Sequence, residues 1–405
     1  MSSKKAKYYA EDTGAPVRRR KRRRRGREKR IPSWVYRVIL VLLAAVAGLV
    51  LWVNRANLTP ENILDWVQEQ VVGMGVGDGY PAAITGSVVS PKNFASSSGE
   101  AVMVSDTHLT VLNGTGKEVA SRQHSFSFPV LRLSGQEMLL YNLGGSGYQV
   151  ESRSRTLQKG SAEGNILGGA ISSGGHYALL TESDGYLGQL TVYNDQNERQ
   201  FEYKFSSCYP SAAALNSDAT QALVGGLFAR DGGLVSCLYL LDLNSSESVE
   251  PAAEYEENML LDAFWYEDGT AAAVGDRLAA LVDASGRVTE YQYDGRQLAA
   301  YAGGGGITAL ALLPYTDAAS GELVLLDAGG RKAAFSLPEA PDSVALFGNT
   351  AAVLAGGTVY AYSIAEGVLL AQAEAGEDAA AIALRDETSA YVLGVSEIRL
   401  LEWDG

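Results

Sequence analysis

Histidine and cysteine are scarce in this 405-residue chain, three and two respectively, and that scarcity removes whole classes of chemistry. His108, His124, His176, Cys208 and Cys237 lie far apart, with no C-x-x-C or H-x-x-x-H spacing to hold a metal. Two cysteines make no disulfide framework, although a single Cys208–Cys237 bridge stays open in an oxidising compartment. All five otherwise read as ordinary core or surface residues. Tryptophan is sparse too, and only Trp265 and Trp403 lie beyond residue 82, which argues against a quinone cofactor docked by tryptophan-rich repeats. No G-x-S-x-G elbow stands between a strand and a helix. Asp317, Asp342, Asp378 and Asp386 lack the D-x-D-x-D-G spacing of a calcium loop and read as solvated turns. No cofactor is expected and no catalytic residue is assigned.

Acidic residues are scarce at one end only. Residues 1–55 hold 16 Lys and Arg against three acids, a net of +13, whereas the remainder holds 17 against 44, a net of -27. A body this acidic repels polyanions, so no nucleic-acid partner is expected unless the basic tail binds one by itself. That tail, with Arg18, Arg19, Arg20, Lys21, Arg22, Arg23, Arg24 and Arg25 at its centre, abuts the apolar run Val38–Val53. Extended back to Trp34, the run has twenty residues and spans about 30 Å as a helix, one bilayer crossing. Arg37 can snorkel to the headgroups, and Trp34 and Trp52 fall where interfacial aromatics are favoured. The basic flank is retained inside, which predicts a cytoplasmic N-terminus and an extracytoplasmic C-terminal part in the cell membrane. The apolar run is too long for a signal peptide and no A-x-A site follows it, so the anchor is expected to be uncleaved.

The expected layout is a disordered basic cytoplasmic tail (1–33), a transmembrane helix (34–54), a juxtamembrane segment (55–81) and one large domain (82–405). Thr59-Pro60-Glu61 reads as a helix start, and Ile63, Val67 and Val71 extend it as a short amphipathic helix to about Val72. The glycine-rich GMGVGDGYP, Gly73–Pro81, predicts a hinge.

Beyond Ala82 helical periodicity is missing, and runs of five to eight residues alternate with Gly, Asp, Asn and Ser turns. First-strand candidates centre on Leu131, Ala170, Ala213, Asp262, Ala309, Ala345 and Ile382, at spacings of 39, 43, 49, 47, 36 and 37 residues. The fifth of these is ITALALL. Each is followed by two further strands and usually by a polar fourth such as RQFEYKF or VTEYQYD. Four strands per forty-odd residues is the period of propeller blades. The fold class is therefore all-β, a β-propeller, with eight blades preferred and seven possible; a solenoid or two sandwiches would not need this period. The last unit holds three strands, and AAITGSVV (82–89) is expected to supply the fourth and close the ring. Gly303–Gly306 reads as a flexible connection into Ile307.

The order of basic tail, single span, NILDWV, a glycine-rich stretch ending GYP, an I-x-G strand, then NF and SDTHLTVLN resembles a family of uncharacterised, membrane-anchored, WD40-like or quinoprotein-like propellers from Gram-positive anaerobes. The most specific part is Asn62–Asn113. The resemblance implies the fold and no activity, and the WD signature itself is missing because the one Trp-Asp pair, Trp403-Asp404, ends the chain. The expected function is binding or scaffolding of an envelope protein or polymer beside the lipid bilayer. EYEEN (254–258) and EAGED (374–378) offer a negative surface to a basic partner. Two alternatives stand beside it: an envelope carbohydrate- or peptide-acting hydrolase or lyase, which predicts several inward carboxyls with raised pKa at a pocket, and a transmembrane sensor reporting through the basic tail.

Overall fold

The computed structural model describes residues 75–403 except 246 and 316–318. The expected tail, transmembrane helix and juxtamembrane helix lie outside these residues. Among the described residues no helix is long and apolar enough to cross a membrane.

Eight four-stranded antiparallel sheets follow one another along the chain. Their first, innermost strands are Val89–Ser97, Pro129–Ser134, Ile166–Ile171, Tyr209–Leu215, Leu260–Trp265, Gln297–Gly304, Pro341–Phe347 and Ala381–Asp386, and we number the blades 1 to 8 in that order. Eight apolar clusters fill the eight junctions between neighbouring blades, blade 8 meeting blade 1 through Phe94, Met103, Tyr391 and Ile398. The eight-bladed reading holds. The physical logic is local: the second and third strands of a blade are covered on both faces by its neighbours, so they are almost entirely apolar, as in Ala271–Gly275 and Thr350–Ala355, which are buried throughout. Fourth strands such as Arg199–Phe205 and Leu369–Glu374 alternate half-buried and exposed over much of their length at the rim.

Blade 8 takes its fourth strand from the other end of the chain. Ala82 and Ala83 pair with Ile398 and Glu397, and the Ile84 amide reaches the Ser396 carbonyl at 3.0 Å. The expected closure is present but short, since Val89 already begins the inner strand of blade 1. The preceding glycines differ from the expected hinge. The Gly77 amide donates to Thr115 Oγ1 at 2.9 Å, the Gly79 amide to the Thr115 carbonyl at 3.1 Å, and the Tyr80 hydroxyl to the Asn113 carbonyl at 2.8 Å. A Cβ on Gly77 would lie 2.5 Å from the Lys117 amide, so glycine permits the strap to press onto this turn of blade 1.

Blade 6 corrects a second expectation. ITALALL is its second strand, Ile307–Leu313, and the inner strand is the less apolar Gln297–Gly304. The reason is solvation: an inner strand borders the water of the central channel on one side and can be built from Ala and Gly, whereas the second strand is enclosed. Gly303 and Gly304 complete the inner strand, and Gly305 and Gly306 form a tight turn with φ of 59° and 77°. This is an ordered hairpin in place of a flexible connection.

Candidate functional site

Most inner strands carry one extra residue near their start, as between Ile166 and Gly168, Pro210 and Ala212, Leu260 and Asp262, Leu298 and Ala300, and Pro341 and Ser343. Such bulges turn the strand and re-aim the side chain that follows. At that following position blades 3, 4, 6 and 7 place Gly168, Ala212, Ala300 and Ser343, and blade 5 alone among these places a charge, Asp262.

Blade 1 departs further. Val89 faces Ser105 and Phe94 faces Met103, so four residues stand against one on the partner strand. This wide excursion carries Lys92 toward the channel. Its base is fixed by the buried Asn93, whose side-chain amide donates to the Pro129 carbonyl at 2.8 Å and accepts from the Leu131 amide at 3.0 Å. Arg132 is the next residue on that strand.

These pieces meet across the channel. Arg132 Nη1 of blade 2 lies 2.9 Å from Asp262 Oδ2 of blade 5, and the Tyr301 hydroxyl of blade 6 donates to the same oxygen at 3.4 Å. Lys92 Nζ of blade 1 donates to the Tyr301 oxygen at 3.1 Å and sits 5.2 Å from its ring centre. Two opposed pairs of blades are thus joined by one chain of polar contacts. Asp262 is 6% exposed and also accepts its neighbour Ala263's amide at 2.9 Å. Asp262 beside Arg132 holds the guanidinium's pKa above its usual value, and burial pushes the Tyr301 phenol up, keeping it a neutral donor. The Arg132 Nε–H has no acceptor among the described residues.

Above this floor is a cavity of about 820 Å³. It is bordered by the C-terminal halves of the inner strands of blades 1 to 6 and the turns that follow. Its walls are small or apolar, including Ala170, Ala213, Ile171, Leu215 and Phe264, and Lys92 and Arg132 face its lumen. The 31% of Arg132's side chain that is accessible therefore meets channel water within the ring. Glu267 and Asp268 stand at the mouth, exposed and without an ion pair among the described residues. Gly303 earns its place here: a Cβ would come within 2.5 Å of the Phe264 ring.

The residues singled out from sequence fall elsewhere or play other parts. Trp265 borders the cavity, whereas Trp403 packs on the cluster between blades 7 and 8. Asp378 pairs with Arg399 at 2.7 Å, Asp386 caps its own turn through Thr388, and Asp342 is the bulge residue of blade 7; Asp317 lies outside the described residues. Among the described residues the carboxyls pushed up by burial are Glu151 and Asp342, and neither lines the cavity. The several raised inward carboxyls that the hydrolase alternative expected are thus not gathered there. Within the two acidic stretches Glu254 is held by Arg230 at 2.5 Å and Glu257 by Arg277 at 2.8 Å. Cys208 and Cys237 are free and buried, their sulfurs close to the same Cβ position of Gly226. Among the described residues no group of His, Cys, Asp and Glu is arranged to hold a metal. The anchor residues Arg18 to Arg25, Trp34, Arg37 and Trp52 lie outside the described residues.

The face opposite the cavity mouth has a different character. Connections leading into the inner strands, and turns between second and third strands, open on that side and carry Phe128, Leu143, Tyr186, Tyr209, Leu234 and Met259, all exposed, Phe128 to 70% and Tyr209 to 52%. They run as an arc over blades 2 to 5. The Leu143 amide bonds the Phe128 carbonyl at 2.9 Å, and Leu143 itself bridges to Ile166 of the next blade. Glu163, Asp184 and Asp231 lie on the same side without ion pairs among the described residues, while Arg230 and Arg277 there are already paired.

Fold and site together define an eight-bladed β-propeller with a channel lined in part by Lys92 and Arg132. Residues 82–392 match the family of unknown function DUF5711, and the chain belongs to it. No curated protein matches the chain. Among solved structures it is similar to Sqt1 of Saccharomyces cerevisiae, at 9% identity and a TM-score of 0.54 over 80% of this chain and 100% of that one. It is similar also to the C-terminal WD40 domain of Sif2, at 9% identity and a TM-score of 0.54 over 80% and 97%. At such identities the likeness is one of fold.

Proposed function

We propose that this chain is a single-pass membrane protein whose extracytoplasmic propeller is a scaffold for a protein partner at the cell envelope. The observation that carries the reading is the arc of exposed large apolar side chains on one face. Singly exposed apolar residues need no explanation, but six gathered on the edges of four consecutive blades mark an interaction surface. Its surroundings select the partner. Unpaired acids beside the arc favour a basic protein segment with apolar anchors and disfavour an anionic lipid surface. The basic tail and the apolar run of the sequence support the anchored topology, with the tail inside.

Two measurements test the reading in cells expressing the full chain. A cysteine introduced as Asp184→Cys is expected to react with a membrane-impermeant maleimide in intact cells, since Cys208 and Cys237 are buried; protection until lysis defeats the topology. A photo-crosslinker placed at Phe128 or Tyr209 is expected to trap one discrete protein that a crosslinker at Phe347, on the cavity side, does not trap. Tyr186→Glu is expected to remove that product, and its persistence defeats the assignment of the face.

A further inference from the structure

We propose that the central cavity binds the carboxyl-terminal end of a short extended peptide, with its carboxylate on Lys92 and Arg132 and its amino end toward Glu267 and Asp268. This goes beyond the scaffold reading and uses the other face of the ring.

The floor comes first. Asp262 does not border the cavity, so it neutralises Arg132 from behind while both cations face the lumen. Lys92 forms no ion pair among the described residues and gives one of its three donors to Tyr301. Arg132 keeps 31% of its side chain accessible beside its pair with Asp262, so part of the guanidinium other than its buried Nε is open to the lumen. Two cations with donors to spare, one on an excursion pinned by the buried Asn93, form a preorganised place for a carboxylate. The polar chain from Lys92 through Tyr301 and Asp262 to Arg132 holds both cations where they stand, so an anion arriving there meets fixed donors and requires little rearrangement.

The mouth has the opposite sign. Asp262 to Trp265 runs as strand, about 10 Å at the strand rise, and Glu267 and Asp268 lie in the tight turn that follows, which sets floor and mouth about 10–14 Å apart. An extended peptide advances at the same rise, so about four or five residues place a carboxylate and an ammonium at these two levels. The cavity volume of about 820 Å³ lies within the range of small-ligand pockets. Between the two levels the walls are mostly Ala, Gly, Leu and Ile, with Phe264 and Trp265 on blade 5 and serines among them, which suits small apolar side chains.

The test is isothermal titration calorimetry on the full chain in detergent, with penta-alanine bearing free termini as the probe. Binding is expected, weakened at least tenfold by amidating the carboxyl end and about threefold by acetylating the exposed amino end. Lys92→Ala is expected to weaken it about tenfold with an unchanged melting temperature, because Lys92 is exposed to the lumen, and Lys92→Glu is expected to abolish it. Absence of binding at millimolar peptide, or equal affinity for the amidated form, overturns the proposal. So does competition by inorganic phosphate at or below the peptide concentration, which would make the floor a general anion site.

Discussion

The two faces of the ring solve opposite problems. On the cavity side, Arg132 and Asp262 are drawn inside the protein and each relies on a partner from a distant blade. On the other side, large apolar groups are pushed out into water. Damage to the first is therefore expected to register as lost stability, and damage to the second as lost association. Asp262 and Phe128 are the clearest representatives, one a nearly buried carboxylate, the other an exposed ring.

The most severe way to break the first half of that contrast is Asp262→Ala, which leaves Arg132 without its carboxylate inside the ring. A loss of about 3 kcal/mol in chemical denaturation is expected, toward the lower end for a broken buried pair because channel water reaches the guanidinium. Gly303→Ala is next, at about 1–2 kcal/mol by the same measurement, since the new methyl and the Phe264 ring cannot share the space. A smaller effect is expected from pH. His124 Nε2 lies 3.1 Å from the Ser105 carbonyl and the Phe126 amide lies 3.3 Å from Nδ1, an arrangement that fits the neutral ring with the proton on Nε2. Burial holds its pKa below 6.5, with Asp106 pulling up and His108 pulling down by lesser amounts. The unfolded chain thus takes up this proton first, and stability is expected to fall as pH drops through 6.5 toward the folded pKa, then to level. His124→Gln should flatten that part of the stability curve. Phe128→Ser sharpens the second half of the contrast: it is expected to leave stability within about 0.5 kcal/mol while removing the crosslinked partner. A large loss of stability there would mean that the arc belongs to the core.

The blade repeat was legible because enclosure forces composition. Every blade needs two strands covered on both sides, so Ala271–Gly275 or Thr350–Ala355 can hardly be written with polar residues, and the period follows. Closure was legible from a last unit with three strands. The assignment of ITALALL failed for the same reason that the others succeeded: strong apolarity marks the second strand, and the inner strand of blade 6, QLAAYAGG, is diluted by the water it borders. The cavity floor was hidden by distance along the chain. Arg132 and Asp262 are 130 residues apart and Lys92 and Tyr301 are 209 apart, and no motif links them. One signal was available. Asp262 stands among the repeat centres as the one charged residue beside Leu131, Ile382 and four alanines, and a lone acid at such a position is a departure from the repeat that asks for a partner.

The strap that precedes the closing strand has a mechanical consequence. Within the described strap, the Gly75 carbonyl accepts from Asn113 Nδ2 at 3.3 Å. Before tension reaches the two-residue pairing of Ala82 and Ala83 with blade 8, it must first strip Gly77, Gly79 and Tyr80 from the Asn113–Lys117 turn of blade 1. The two-residue closure is thereby shielded by a clasp on the neighbouring blade, and force applied through the strap is shared between the first blade and the last.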